Sequence, residues 1–484
     1  MTTTRAIASN TIVQAVGKAL TVGLSLALIA ILGRLLGIEG LGAYTTALAF
    51  LSLVAIFADF GFFTILVREL SLPSRDQAHA LGNVLTLRFL LALGVYAAGY
   101  GASFAFNYPP LVLLGIAILL LGQFAQTMQN TLIAVLQARL QMRLAVIADV
   151  VSRGLLVALV AWIAARGGGL VEVFWITTVA YVVGLLITFV LTNRLIPVRL
   201  RVDLAYWRYL VVETLPLGVS AILSYLYFKI DTLMLSVLKG VVEVGIYGVP
   251  FRILEVLIAL PGFFVNSVFP VLTNLYERGD EKWKVAFQQS FDFLALLAFP
   301  VVVGGLVLAE PLVGIAGPEF LDAYTVTVAG VPVTPVRILQ VLIVGVGFSY
   351  LSFAFSALIL AAGKQRWLVV PNIGYAAFNI GLNLLLIPRW SYAAAAGVTV
   401  ATEFLILLVS VLLARRLLTF PLRLASAGKA FAVSLVMGSV LLAVPGASLW
   451  LELPLGVLTY GVGGWLIGVL DPDVLQALVR RKEL

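Results

Sequence analysis

Cysteine is absent from the 484 residues, histidine occurs once, and charged residues make up only 11%. With no cysteine there is no disulfide, no thiol nucleophile and no thiolate metal site. The single histidine, His79, falls in a polar stretch and reads as a solvated loop residue. No G-x-x-x-x-G-K-[ST] segment is present, so nucleotide hydrolysis through a P-loop is excluded; H-E-x-x-H and G-x-S-x-G are missing as well. No cofactor is called for. The N-terminus lacks an early basic region followed by a small-residue cleavage site, so the first apolar span is expected to remain as a helix.

What fills the chain instead is apolar: 62% hydrophobic residues and a mean hydropathy of +1.10. These residues come in blocks of about twenty or more, the length that crosses a bilayer as an α-helix. The pattern is that of an all-α polytopic membrane protein, because a membrane barrel would show alternating strands of about ten residues. Fourteen spans are predicted, near 10–33, 41–67, 81–105, 111–136, 145–166, 173–193, 209–238, 246–272, 287–309, 337–362, 367–387, 392–414, 429–447 and 451–470.

The formal charge of +8 has the sign of a nucleic-acid binder, but its distribution points elsewhere. With the N-terminus placed inside, 23 Lys and Arg fall on the cytoplasmic side and 5 on the other. Arg88 is counted among the cytoplasmic set. Such an asymmetry is the positive-inside signal of a multi-pass cell-membrane protein with both termini cytoplasmic, so no nucleic-acid partner is expected.

A faint internal repeat runs through the chain. Gly42-Ala43-Tyr44 corresponds to Gly245-Ile246-Tyr247 at an offset of 203, and Gln141-Met142-Arg143-Leu144 to Gln365-Arg366-Trp367-Leu368 at 224. The longer external segment near 310–336 accounts for the change. Two pseudo-symmetric six-helix lobes follow, 1–205 and 206–425, with two further helices and a tail in 426–484. They are parallel repeats about an axis along the membrane normal.

Charges inside the spans are the functional signal. Lys229, Asp231, Arg252 and Glu255 lie in spans seven and eight. Each Lys, Arg or Asp facing lipid near a helix centre costs roughly 2.5–3.5 kcal/mol. They are therefore expected to line a water-filled or protein-lined region. Lys229 and Asp231, two residues apart, cannot pair on one helix face, whereas Arg252 and Glu255 (i, i+3) and Asp149 and Arg153 (i, i+4) can. Arg34 closes span one, where snorkelling to the interface is the alternative to a cavity role. Asp59, before Gly61 in span two, is a candidate for carrying a proton or holding a cation.

Polar stripes accompany the charges. Asn10, Gln14, Lys18, Thr21 and Ser25 share an arc of span one. Glu213, Ser220, Ser224, Tyr227 and Asp231 do so on span seven, and Arg252, Glu255, Gly262 and Asn266 on span eight. Asn372, Asn379 and Asn383, with Tyr375 near them, mark span eleven; interhelical hydrogen bonding is the plainer reading there. Pro216 and Pro261 are expected to kink spans seven and eight.

Several of these stretches resemble the polysaccharide (O-antigen-type) flippase branch of the multidrug/oligosaccharidyl-lipid/polysaccharide (MOP) exporter superfamily. Gly33-Arg34-Leu35-Leu36-Gly37 with Gly42-Ala43-Tyr44 is similar to that family's first loop. Tyr227-Phe228-Lys229-Ile230-Asp231, Gly245-Ile246-Tyr247 and Phe251-Arg252-Ile253-Leu254-Glu255 resemble its central signature. Asn379 to Pro388, then Ala401-Thr402-Glu403, are similar to its eleventh and twelfth helices. Where the family often has a glycine-rich turn, this chain reads Arg389-Trp390-Ser391-Tyr392.

The resemblance covers about 1–415. It implies two lobes around a cavity lined by helices 1, 2, 7 and 8, and movement of an oligosaccharide carried on polyprenyl (pyro)phosphate. Such an anion needs Arg and Lys in its path: Arg34, Lys229 and Arg252, with Arg153 as a fourth, and Asp231 and Glu255 as their counter-ions. Asp59 would couple transport to H+ or Na+. The expected partners are the lipid-linked glycan and membrane lipids. An exporter of amphipathic cations from the same superfamily and a membrane-embedded glycosyltransferase or polymerase are the alternatives; the Arg and Lys that accompany the acids argue against the first, and polar residues spread along helix faces at many depths, not gathered near one interface, against the second.

Overall fold

In the computed structural model, residues 3–72, 76–444, 446 and 448–468 are described. They form fourteen α-helices: α1 Thr3–Asp59, α2 Phe62–Ser71, α3 Gln77–Ser103, α4 Pro110–Ala138, α5 Met142–Ala164, α6 Leu170–Asn193 and α7 Leu204–Leu238. The series continues with α8 Val241–Glu277, α9 Lys282–Val307, α10 Ala309–Gly314, α11 Pro335–Ala361, α12 Arg366–Ala414, α13 Ala425–Leu442 and α14 Leu449–Leu466. Among the described residues, nine are long and apolar enough to cross a membrane. The protein is an all-α polytopic chain.

Helices and spans do not correspond one to one. At a rise of about 1.5 Å per residue, a helix as long as the 57-residue α1 would run about 85 Å, against a hydrocarbon core of about 30 Å. Its helical course breaks at one residue, Gly37 (φ 63°, ψ −170°), so spans one and two meet without a loop. The 49-residue α12 does the same at Ser391 (φ 46°, ψ −132°) and holds spans eleven and twelve.

Glycine suits such backbone; serine does not. The hydroxyl of Ser391 is buried with no hydrogen-bond partner among the described residues. Ser391→Gly is therefore expected to stabilise the protein by about 1 kcal/mol, seen as a higher thermal midpoint in detergent.

Acidic caps start two of the helices. Asp76 accepts from the His79 N–H (3.0 Å) at α3, and Asp203 from the Ala205 and Tyr206 N–H groups (3.1 and 3.0 Å) at α7. His79 is thus a first-turn residue of α3, not a loop residue, and its Nε2 lies 3.2 Å from Asp203 Oδ2. The His79 amide, then Arg201, hold the Asp76 carboxyl below its ordinary range; the Tyr206 and Ala205 amides, then His79, do so for Asp203. A depressed folded value stabilises the fold above the unfolded value of about 3.9, and that contribution is lost as pH falls through the folded value. Melting midpoints followed from pH 5 downward should fall less steeply in Asp76→Asn than in the wild type.

The chain forms two compact units, Met1–Gly248 and Val249–Leu484. In the first, α4 packs on α6 and α1 on α5, and the Phe174 ring occupies the space where a Cβ on Gly115 would sit. In the second, α11 packs on α9 and α12 around Phe287, Phe291, Leu294, Phe355 and Leu358. Between α10 and α11 a short ribbon pairs Thr327–Val328 (β1) with Val331–Pro332 (β2). Ala329 and Gly330 turn it at φ 51° and 78°. Tyr392 holds its base: the hydroxyl accepts from the Thr325 and Val326 N–H groups and donates to the Val333 carbonyl.

The internal repeat has a physical counterpart within the first unit. A Cβ on Gly42 would lie 1.8 Å from the Val241 carbonyl oxygen, and one on Gly245 would lie 2.1 Å from that of Ile38. Positions 42 and 245, and likewise 38 and 241, are 203 residues apart. The first-copy glycine meets the second copy's main chain, and the reverse.

Candidate functional site

Side chains of residues 1–15, 217, 219–221, 223–228, 263, 266 and 267 lie outside the described residues, which takes in Asn10, Gln14, Ser220, Ser224, Tyr227 and Asn266 from the stripes. The remaining span-one hydroxyls are spent on their own helix: Thr21 donates to the Lys18 carbonyl (2.9 Å) and Ser25 to that of Thr21 (2.8 Å). The asparagine stripe splits. Asn372 is exposed, whereas Asn379 and Asn383 are buried. Asn383 Nδ2 donates to Asn379 Oδ1 at 3.0 Å, and Asn379 reaches Thr402 at 3.5 Å. This is the helix-to-helix bonding expected of span eleven, made across the Ser391 turn.

The first unit holds most of the charges singled out. Asp231, in α7, is 2% exposed, and its Oδ2 lies 3.5 Å from the hydroxyl of buried Tyr247 on α8, the outer limit of a hydrogen bond. Lys229, two residues earlier, is half-buried. Arg34 is exposed on α1, three residues before the break at Gly37. Arg153 Nε donates to Asp149 Oδ1 at 3.0 Å, the pair its i, i+4 spacing predicts. In the second unit Arg252 Nη1 donates to Glu255 Oε2 at 2.9 Å, and 38% of the Arg252 side chain stays exposed. Each unit thus presents cations held by carboxylates inside apolar helices. That arrangement can yield a guanidinium to an incoming anion at the cost of one hydrogen bond.

A family model for polysaccharide biosynthesis proteins matches residues 7–276, more than half of the chain. The chain belongs to that family. A second model, MatE, matches residues 216–385, and the two together place this polysaccharide biosynthesis protein in the MOP exporter superfamily. Its fold is similar to the lipid II flippase MurJ in an inward closed conformation (TM-score 0.73, 15% identity, covering 97% of this chain and 99% of that one). An inward-facing multidrug-resistance MATE transporter is similar at 0.63 and 17% identity, over 82% and 93% of the two chains. A MOP transporter from Pyrococcus furiosus, described as having a binding pocket of reversed polarity, gives 0.59 and 16%, over 85% and 95%. No curated protein is detectably similar in sequence.

Two features of the family member escaped the sequence reading. Asp59 is not an isolated carboxylate: it pairs with Arg88, which is fully buried in α3 and does not belong to the cytoplasmic segment to which the charge tally assigned it. The available signal was position, since Arg88 stands seven residues inside the predicted span 81–105. The second feature is a network at the start of α7. Buried Glu69 accepts from the hydroxyls of Tyr206 and Tyr209, each at 3.0 Å, and Arg68 bridges to Glu213 at 2.9 Å. Glu69 and Glu213 are 144 residues apart, and only the packing of α2 on α7 brings them together.

Proposed function

We propose that this protein is a flippase moving a polyprenyl-(pyro)phosphate-linked oligosaccharide across the cytoplasmic membrane by alternating access. The Arg252–Glu255 pair carries the reading. A guanidinium accepts a phosphate through two parallel N–H bonds, and one held by a single carboxylate inside an apolar helix can exchange that partner for a substrate phosphate. Arg34 and Lys229 are further cations for the headgroup, Arg153 a fourth, and Asp231 balances charge when no substrate is bound. Asp59 is assigned to coupling with H+ or Na+. The repeats define the functional lobes, 1–205 and 206–425, with 426–484 appended and both termini cytoplasmic.

Arg252→Ala is expected to cut export of the lipid-linked glycan on the order of 100-fold or more while membrane abundance is unchanged. Export at the wild-type rate would remove Arg252 from the mechanism. The MatE match over 216–385 supports a second reading, a cation-coupled exporter of amphipathic cations. That reading requires a deletion strain to become drug-sensitive while its glycan export stays normal.

A further inference from the structure

Span two is interrupted between α1 and α2, where Phe60 (φ 41°) and Gly61 (φ 81°) are both left-handed. For a residue as bulky as phenylalanine this is a costly backbone that its surroundings must impose. Two contacts flank it. On one side Asp59 accepts a hydrogen bond from Arg88 Nη2. Arg88 is completely buried, and its Nε and Nη1 have no hydrogen-bond partner among the described residues. On the other side the Phe60 ring lies on α7 at Gly218, where a Cβ would come within 2.7 Å of a ring carbon. Gly218 follows Pro216 by two residues, and a proline inside a helix removes one main-chain hydrogen bond. An α3 cation, the carboxylate ending α1, a strained phenylalanine and the weak point of α7 therefore stand in series.

We propose that Arg88 is a positioning residue that transmits the charge state of Asp59 to α7. Paired, the two charges hold Phe60 left-handed against Gly218. When Asp59 takes a proton or a cation, Arg88 is left in the core without its counter-ion, the break relaxes, and α7 changes its bend at Pro216. Among the described residues, Tyr96 of α3 is the other titratable group that acts on Arg88, and its hydroxyl is bonded to Thr127 of α4 at 2.8 Å. The inference rests on the assignment of Asp59 to coupling.

Because the chain has no cysteine, Thr64→Cys on α2 and Val237→Cys on α7, both exposed, are unique spin-label sites. Their distance distribution would be measured by double electron–electron resonance on the full chain in nanodiscs. Asp59→Asn should shift or broaden the distribution. So should Gly218→Ala, which pushes on the Phe60 ring with every charge intact and serves if Asp59→Asn does not fold. Asp59→Asn/Arg88→Met, which also lacks the pair, should show a shifted distribution and no glycan export. A distribution unmoved by Asp59→Asn and Gly218→Ala overturns the proposal, as does full export by the double variant, the behaviour of a merely structural pair. The distance measurement decides the point even if the wild type moves no lipid-linked glycan, so the two readings fail separately.

Discussion

Gly42→Ala is expected to cost the protein most of its thermal stability. The new methyl would meet the Val241 carbonyl oxygen at 1.8 Å, the carbonyl carbon at 2.8 Å and the Gly245 nitrogen at 2.9 Å. All three are main-chain atoms, so no rotamer change makes room, and α1 and α8 have to separate. Overpacking of a closed site costs about 1–3 kcal/mol and more where the backbone must move. Gly245→Ala should behave alike, because its methyl would lie 2.1 Å from the Ile38 oxygen. The two serve one contact, so the double variant should lose less than the two singles combined. Gly94→Ala is the control: nothing lies within 4 Å of a Cβ there, and the change should stabilise α3 by about 0.5–1 kcal/mol. Thermal midpoints and the monodisperse yield of purified protein measure all four.

Asp59→Asn carries the second large effect. The fully buried Arg88 would lose its counter-charge; a buried pair broken on one side costs about 3–5 kcal/mol, and the 37% exposure of Asp59 places this pair below that range. Replacing both partners should be milder, since Arg88→Met removes the buried charge that Asp59→Asn alone would strand. Asp59→Asn is therefore expected to melt below the wild type, and Asp59→Asn/Arg88→Met between the two. Equal melting of the single and double variants would mean that Arg88 finds its stabilisation elsewhere.

Span positions were legible because length and composition mark a helix that can cross a bilayer, and each predicted span falls mainly on helix among the described residues, span two being broken at Phe60–Gly61 and span thirteen running past Leu442. Local ion pairs were legible too: Arg252–Glu255 and Asp149–Arg153 follow from helical spacing without knowledge of the fold. What escaped depends on contacts between distant segments. A one-dimensional projection put Thr21 and Ser25 on a polar stripe, yet their hydroxyls bond back to their own helix. Nothing in Phe60 announces a left-handed residue; only Gly61 beside it hints at a break. Arg88 was misplaced because a charge near a span end was counted with the loop, although nothing in the sequence pairs it with Asp59, 29 residues away. The turn at Ser391 falls in the gap left between spans eleven and twelve, but which residue makes it was not legible, because serine carries no preference for that backbone.

The ribbon at Thr327–Pro332 has a practical consequence. Adjacent spans joined through one non-helical residue, as at Gly37 and Ser391, leave no slack for a foreign sequence. The Ala329–Gly330 corner is exposed, lies at the tip of two short strands, and is tethered at its base by Tyr392. A short epitope spliced there would leave the helix packing untouched, and antibody access to it in intact cells would report which face of the membrane the corner occupies.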